Sequence, residues 1–324
     1  MKALMAMAGS AVPLVFSNEA LRRLAGMVEV DTDRIVTSFD EMTPADRADV
    51  ELLVTGWGVP SLGVAELDAL PSLRAIVHWG GGVAFLDPSV AHRGIAVSSA
   101  RAANAIPVAE FTVAMVVLAA KDAFWVARTY AAEQRFIDRE RELAHTGLYR
   151  ATVGIVGASS IGTLVMEMLK HYDVEVLLHH PRATPERAAQ LGAELVDDLE
   201  ELARRSSILS VHTPDIPQLR GMISREVLAA LPENATLINT ARGRLVDQDA
   251  LIAELASGRI RAILDVTEPD VLPAGHPLYT MPNVFLTPHL AGSMGSELRR
   301  LGDSATDEVA RFVAGEPFAH PITP

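Results

Sequence analysis

The chain of 324 residues contains no cysteine. This absence excludes a disulfide framework, a thiolate nucleophile and a thiolate metal site. Aromatic residues are also scarce, at 5%, whereas hydrophobic residues as a whole make up 49%. We therefore expect cores built mainly from alanine, leucine, valine and isoleucine, and the length predicts two domains of ordinary size.

Basic residues are few relative to acidic ones, 28 against 41, which gives a net charge of −13. Binding of nucleic acid or of an anionic membrane needs a concentrated basic face, so this balance argues against both. An anionic ligand would have to be captured locally, by individual arginines and helix N-termini.

Long apolar runs are lacking as well, apart from residues 1–16, which superficially resemble a signal peptide. We interpret this stretch as a first core strand that turns at Gly9-Ser10 into a helix beginning near Ser17. The expectation is a cytoplasmic protein without a membrane span.

Short apolar runs that end in turn signals recur along the chain and are typical of buried parallel strands, with helices between them. The predicted strands are 51–55, 74–78, 95–98, 152–156, 174–179, 207–211, 235–239, 262–266 and 284–287. The predicted helices are 61–70, 104–136 (with Pro107 near its first turn), 160–171, 185–192, 224–230, 247–257 and 294–314. This alternation predicts an α/β protein, with a doubly wound parallel sheet in residues 150–290.

The strand predicted at 152–156 runs directly into a helix through Gly157-Ala-Ser159-Ser-Ile-Gly162. This segment nearly fits the dinucleotide-binding fingerprint, whose glycines let backbone N–H groups approach a pyrophosphate at a helix N-terminus. Ser159 occupies the second glycine position, where it would either crowd the pyrophosphate or donate its hydroxyl to it. The alternative, a purely structural turn, is disfavoured by the surrounding βαβ pattern.

The next predicted strand lacks the acidic residue that usually binds the ribose hydroxyls about 20 residues further on. It ends instead in His179, His180 and, after a proline, Arg182. A carboxylate would repel a 2′-phosphate, whereas His180 and Arg182 would pair with one. We therefore expect a preference for NADP, with NAD as the second choice, unless these are ordinary exposed loop residues.

Three further predicted strands are each followed by a polar residue: Arg242, Asp270 and His289. Parallel strands end at one edge of a sheet, so these side chains would lie on the side of the phosphate-binding turn. Reduction of a 2-keto acid needs a proton at oxygen, which histidine can supply near neutral pH. An arginine fork pairs a carboxylate at two points and polarises the adjacent carbonyl. Each residue alone could be an ordinary loop residue, but the combination predicts Arg242 as the substrate clamp and His289 as the acid/base.

In order and spacing, these segments resemble the D-isomer-specific 2-hydroxyacid dehydrogenase family over nearly the whole chain. The segments that carry the resemblance begin at Val77, Asn104, Val211, Asn239, Asp265 and Thr287. The resemblance implies hydride transfer between NAD(P)H and a small D-2-hydroxy or 2-keto acid. It also implies two doubly wound Rossmann-like domains with a cleft between them. Residues 1–99 and 294–324 would form the substrate domain and 100–293 the cofactor domain, with helix 104–136 forming a homodimer.

The same match implies roles for single residues: Arg242, Asp270 and His289 would be catalytic, with Asp270 pairing with the histidine. The substrate would also be bound by Gly81, Gly82 and Val83, and no metal is implied. Together with the residues argued above, the cofactor contacts would be Gly157, Ser159, Ser160, Ile161, Gly162, His180, Arg182, Thr213, Pro214, Thr240, Ala241 and Asp265, the last through the nicotinamide carboxamide.

The sequence departs from the family pattern besides Ser159. Asp270 stands where the family usually has glutamate, one methylene longer, so Glu268 is the alternative partner of His289. Ala84 replaces an aspartate, and Asp215-Ile216 replaces a Leu-Thr pair. These departures predict a divergent member whose substrate does not follow from the family.

Two other enzyme classes fit poorly. About 150 residues precede the fingerprint, unlike in the L-lactate dehydrogenase type, and no HExxH spacing supports a metal hydrolase. A catalytically weak, nucleotide-sensing scaffold of the same fold, similar to the corepressors of the family, stays open.

Overall fold

The computed structural model describes residues 1–322. The chain forms two compact units: unit 1 comprises Met1–Ala105 and the chain from Ser293 onwards, and unit 2 comprises Ile106–Gly292. The first boundary lies six residues after the predicted end of the substrate domain at 99, and unit 1 resumes one residue before the predicted 294. The assignment of a substrate or cofactor role to either unit remains a proposal.

Unit 1 is built on a five-stranded parallel sheet with the strand order β2-β1-β3-β4-β5. Alternate residues face opposite sides, so Leu52 and Val54 belong to one buried apolar cluster and Leu53 to another. Burial on both faces explains why these strands have nearly continuous apolar sequences. The strands are β1 (Lys2–Ala6), β2 (Ile35–Val36), β3 (Val50–Thr55), β4 (Ala75–His78) and β5 (Ala96–Ser99).

The first four helices of unit 1 are short. Ser17 caps the second, as its side chain accepts a hydrogen bond from Ala20 N, and Thr43 forms a capping box with Asp46 at the third. Such caps satisfy backbone N–H groups that have no partner within the helix. The helices are α1 (Val12–Val15), α2 (Asn18–Met27), α3 (Pro44–Ala48) and α4 (Val64–Asp68).

The single helix predicted over 104–136 is wrong, because the structure has two helices there. Helix α5 spans Arg101–Ala120 with Pro107 inside it, and α6 spans Ala123–Glu133. The break lies at Asp122, whose φ of 52° is left-handed. Its buried carboxylate lies 2.8 Å from both Arg261 Nη2 and His145 Nε2, and these contacts fix the chain where a helix would otherwise continue.

Helix α5 is long and apolar enough to cross a membrane by length and composition alone. However, 56% of its most apolar window is buried inside the protein, as in the core helix of a globular protein.

Unit 2 contains a seven-stranded parallel sheet with the order β12-β11-β10-β9-β6-β7-β8. The six neighbouring strands β11-β10-β9-β6-β7-β8 have the strand order of a dinucleotide-binding fold. Strand β12 extends the sheet beyond β11. The order reverses between β6 and β9, and ligands bind such folds beyond the carboxyl ends of the strands at this point. The strands are β6 (Ala151–Val156), β7 (Val174–His179), β8 (Glu194–Leu195), β9 (Ile208–Val211), β10 (Thr236–Asn239), β11 (Arg261–Leu264) and β12 (Val284–Leu286).

Six helices of unit 2 begin directly after a serine, threonine or aspartate whose side chain accepts a backbone N–H bond. These N-cap residues are Asp138, Ser159, Thr184, Asp198, Ser224 and Asp247. The helices are α7 (Arg139–Glu142), α8 (Ser160–Leu169), α9 (Pro185–Gln190), α10 (Leu199–Arg205), α11 (Arg225–Ala230) and α12 (Gln248–Ala256). In unit 1, α13 (Leu298–Val313) then packs against α1 and α2.

The prediction of two doubly wound, Rossmann-like domains is confirmed. Two local predictions are wrong. The helix predicted at 61–70 is only Val64–Asp68, since Leu62 instead pairs with Leu86 in an isolated bridge. The strand predicted at 262–266 ends at Leu264, because the carbonyl of Asp265 accepts a hydrogen bond from His289 N in the loop after β12.

Candidate active site

The turn between β6 and α8 depends on two glycines. Gly157 has a φ of +101°, and a Cβ there would lie 2.7 Å from Thr213 Cγ2 and 2.9 Å from the carbonyl oxygen of His212. A Cβ at Gly162 would lie 2.2 Å from the carbonyl oxygen of Gly157. A side chain at either position would therefore separate the strand from the helix, and both predicted fingerprint glycines are required by the local packing.

Ser159 caps α8 in this turn. Its Oγ accepts a hydrogen bond from Gly162 N at 3.3 Å, so the side chain folds toward the helix. Ser160 is exposed and Ile161 half-buried at the start of this ten-residue helix. The first N–H groups of a helix and its dipole favour an anion, so the turn fits a dinucleotide pyrophosphate.

His212 lies beneath this turn, a position that sequence reasoning did not single out. The ring is fully buried, and its Nε2 lies 2.9 Å from Ser210 Oγ. Burial lowers the pKa of His212 to about 3, so the ring is neutral and supports the turn without adding charge. The neighbouring Thr213 donates to Met222 Sδ at 3.4 Å and, with Pro214, follows the end of β9.

The end of β7 carries the residues predicted to choose the cofactor. The carbonyl of His179 accepts from Gly157 N at 2.9 Å, which joins this strand end to the phosphate-binding turn. Burial and the nearby positive charge of Arg182 lower the pKa of His180. Arg182 is exposed and has no hydrogen bond or ion pair to any residue within 1–322. A cationic side chain is therefore available near the end of β7.

The loop after β10 is shaped by Asn239. Its Oδ1 accepts from Ala241 N at 3.0 Å and its Nδ2 donates to the carbonyl of Arg242 at 2.9 Å. Thr240 lies 3.0 Å, Oγ1 to Oγ1, from the buried Thr112 on α5. The backbone around Arg242 is thus fixed, while its guanidinium stays exposed and donates to the carbonyl of Ala241 at 2.6 Å.

Gly243 brings this loop against the loop that follows β11. A Cβ at Gly243 would lie 2.1 Å from the carbonyl carbon of Thr267 and 2.6 Å from Glu268 N. The side-chain amide of Gln248 also bonds both backbone groups of Glu268, at 2.8 and 3.1 Å. The backbones after β10 and β11 therefore support each other.

Asp265 organises the loop after β12. The residue is 2% exposed, and its Oδ1 accepts from Thr287 Oγ1 at 2.6 Å and from Leu290 N at 2.8 Å. Its Oδ2 accepts from Ala291 N at 2.9 Å. These three bonds flank His289, whose φ of 56° is left-handed. The carboxylate that was predicted to contact a nicotinamide thus also positions the candidate acid/base.

The two candidate acid partners of His289 differ in their surroundings. Glu268 Oε2 accepts from Arg244 Nε at 2.9 Å, so its charge is already paired. Asp270 is exposed, and its carboxylate has no hydrogen bond or ion pair within the described chain. No carboxylate of residues 1–322 bonds the exposed imidazole of His289. Asp270 is therefore the acid that is free to pair.

In unit 1, the predicted substrate loop follows β4. The backbone N–H groups of Gly80, Gly81 and Gly82 donate to no acceptor within residues 1–322. A Cβ at Gly81 would have no neighbour closer than 3.8 Å and one at Gly82 none within 4 Å, so internal packing does not require glycine there. Consecutive free N–H groups are suited to bind an anion such as a carboxylate.

The model of the family described as "D-isomer specific 2-hydroxyacid dehydrogenase, NAD binding domain" matches residues 113–291. The chain belongs to this family. The match covers the phosphate-binding turn, the Arg242 loop, Asp265 and His289, so the family resemblance of the sequence is confirmed.

Similar proteins include two curated relatives, each 31% identical. A D-3-phosphoglycerate dehydrogenase of Methanocaldococcus jannaschii aligns with 92% of this chain and 56% of its own length, so the chain spans about half of that relative. A glyoxylate reductase of Thermofilum pendens aligns with 77% of this chain and 75% of its own length. A solved structure, an NADPH-dependent glyoxylate/hydroxypyruvate reductase of Sinorhizobium meliloti, is 25% identical with a TM-score of 0.75 and covers 100% of this chain and 98% of its own.

The positioning role of Asp265 can be tested without substrate or cofactor. In Asp265→Asn, one carboxylate oxygen becomes an NH2 group, which faces a donor instead of accepting from it. We expect the free energy of unfolding in urea to fall by about 2–3 kcal/mol, because buried polar groups lose their partners. Thr287→Val, which removes one donor, should cost about 1 kcal/mol. Equal urea midpoints for Asp265→Asn and the unchanged protein would show that the three bonds do not hold the loop.

Proposed function

We propose that the protein is a nicotinamide-dependent oxidoreductase that interconverts a small 2-keto acid and the D-2-hydroxy acid. The observation that carries this proposal is the arrangement at the carboxyl edge of the unit 2 sheet. Arg242 and His289 follow β10 and β12, and both are fixed through Asn239 and Asp265 at the ends of β10 and β11. Exposed reactive groups on a fixed backbone are what acid/base catalysis requires.

Each residue has a role that follows from its chemistry. Arg242 binds the substrate carboxylate and polarises the adjacent carbonyl with its guanidinium. His289 donates a proton to the carbonyl oxygen in reduction and removes it in oxidation. Asp270, the acid of these loops without a partner, stabilises the imidazolium form. A bound nicotinamide supplies or accepts the hydride.

The nicotinamide cofactor would be held by the turn of Gly157 and Gly162 and by the α8 N-terminus with Ser159, Ser160 and Ile161. The loops at 213–214 and 240–241, together with Asp265, would complete its site. In unit 1, the free N–H groups of Gly81, Gly82 and Val83 would bind the substrate carboxylate, as in the family pattern. The half-exposed Trp57, whose ring packs edge-on against Trp79 at 4.9 Å, favours an apolar substrate side chain; glyoxylate and hydroxypyruvate are the alternatives.

Replacement of His289 tests the catalytic role. We expect His289→Gln to lower kcat for 2-keto acid reduction by at least about a hundredfold, because general acid catalysis is lost. The dissociation constant of NADPH, measured by fluorescence, should stay the same. His171→Gln, at another exposed histidine of unit 2, is the control and should leave kcat unchanged. Undiminished turnover in His289→Gln would contradict the assignment. Cofactor binding without turnover of any 2-keto acid would favour the nucleotide-sensing scaffold.

We propose that NADP is preferred over NAD. The support is the exposed, unpaired Arg182 beside His180 at the end of β7, where a ribose-binding acid is missing. The arginine guanidinium pairs phosphate at two points. It is also weakly hydrated, so its binding to phosphate gives up little hydration free energy.

The cofactor preference predicts that NADPH binds about tenfold more tightly than NADH. Arg182→Ala should abolish this difference by weakening NADPH alone. Arg187→Ala is a matched control, since Arg187 is an exposed arginine on the adjacent α9. Equal affinities for the two cofactors in the unchanged protein, or an Arg182→Ala variant that keeps the difference, would refute the role of Arg182.

We also propose a homodimer formed through α6 and the segment after it. A groove of about 1010 Å³ lies along this region of unit 2, and Tyr130 and Phe136 are 60% and 81% exposed there. Exposed apolar surface of this kind marks protein–protein contacts.

Sedimentation equilibrium should give twice the chain mass of 34.7 kDa, and Phe136→Asp should give the single mass. Tyr172→Asp, at an exposed aromatic residue outside this region, should remain dimeric. A monomeric unchanged protein would exclude the dimer.

A further inference from the structure

His78 is a buried polar residue that the proposed reaction does not use. It is the last residue of β4 and pairs in register with Thr55 on β3 and Ser99 on β5. These three residues are 4%, 0% and 1% exposed, respectively. The Nδ1 atom of His78 lies 3.0 Å from Thr55 Oγ1, and the ring packs against Phe85 with centroids 4.8 Å apart. Three polar side chains thus lie side by side at the ends of three strands, and the Gly80–Gly82 loop follows directly after His78.

The protonation state of His78 follows from this burial. Burial lowers its pKa to about 4, against the opposing effect of a hydrogen bond to the Gly82 backbone. The ring is therefore neutral near pH 7, with one donor and one acceptor nitrogen. One hydrogen bond joins Nδ1 to Thr55 Oγ1, and Nε2 lies on the side of the Gly80–Gly82 loop.

The Gly80–Gly82 loop is built around this ring. A Cβ at Gly80 would lie 2.4 Å from His78 Nε2, so only glycine fits above the imidazole. By contrast, no neighbour comes within 3.8 Å of a Cβ at Gly81, and the position at Gly82 is open. The ring therefore constrains the loop at Gly80 from below, while space remains at the next two residues.

We propose that His78 is a positioning residue that holds the Gly80–Gly82 loop in the conformation that binds the substrate carboxylate. Its Nδ1 lies 3.0 Å from Thr55 Oγ1 and its Nε2 lies directly under Gly80, and the N–H groups of the loop remain free for the ligand. This inference rests on the proposed function, since it assumes that the loop binds a carboxylate. Loss of the His78 side chain should therefore weaken substrate binding, while the chemical step at His289 and the cofactor site in unit 2 stay unchanged.

The test compares His78→Phe, which keeps a planar ring without hydrogen bonds, with His78→Gln, which keeps an amide that can form hydrogen bonds. The probe is the 2-keto acid with the highest kcat/KM among glyoxylate, hydroxypyruvate, pyruvate and phenylpyruvate. For His78→Phe we expect KM to rise about tenfold, with kcat and the NADPH dissociation constant within about twofold of the unchanged protein. The KM of His78→Gln should lie between that of His78→Phe and that of the unchanged protein. A purely structural role would instead lower the amount of active protein and leave KM unchanged.

An unchanged KM in folded His78→Phe, or a loss confined to kcat, would overturn the proposal. If His78→Phe does not fold, Thr55→Val provides the second test, because it removes only the hydroxyl that orients the ring. A KM increase of about threefold is expected there, and an unchanged KM would overturn the proposal. The variant Arg242→Gln distinguishes a failure of the proposed function from a failure of the proposed role of His78. Undiminished turnover in that variant contradicts the proposed function, whereas loss of turnover there with a normal KM in His78→Phe contradicts only the role of His78.

Discussion

The buried carboxylate of Asp265 requires hydrogen-bond donors, and the strand ends around it are arranged to supply them. A buried charge is costly unless it is paired or hydrogen-bonded, and Asp265 receives bonds from Thr287, Leu290 and Ala291. The same residue donates its N–H to the carbonyl of Asn239, whose side chain in turn fixes the loop of Arg242. Both candidate reactive residues are therefore exposed groups on backbones that buried polar side chains hold in place.

Close backbone approach is the second constraint, and it recurs wherever a strand ends at a candidate site. Gly157 and Gly162 allow β6, α8 and the end of β9 to meet, and Gly243 allows the loops after β10 and β11 to touch. Gly80 does the same above His78 in unit 1. The atom that excludes a side chain belongs to a segment distant in sequence at Gly157 and Gly243, to the Gly157 carbonyl at Gly162, and to a buried ring at Gly80. The glycines therefore fix the shape of each loop, and exposed polar residues are presented between them in unit 2.

Most regular elements of unit 2 could be predicted from the sequence, because buried parallel strands have continuous apolar runs and serine, threonine or aspartate marks the helix starts. The short β8, α7 and α10 were not predicted. The break between α5 and α6 could not, since it depends on the contact of Asp122 with Arg261, a residue far along the chain. Motifs alone favoured Asp270 as the partner of His289 and left Glu268 as the alternative. The contact of Glu268 with Arg244, which no motif indicates, argues against that alternative. His78 lies in the family segment that begins at Val77, but the segment did not single it out, because its contact with Thr55 is made between neighbouring strands.

The charge of the chain and the charge of the candidate site are different properties. A net charge of −13 would oppose an anionic substrate and cofactor if the acids at the carboxyl edge of unit 2 were unpaired. They are mostly paired: Glu268 lies 2.9 Å from Arg244, Asp215 lies 3.1 Å from Arg220, and Asp265 accepts three hydrogen bonds. Within the described chain, the carboxylates of Asp270 and of Asp197 after β8 have no partner, whereas Arg182 and Arg242 present cationic groups. Anions would thus meet local positive charge at these two arginines.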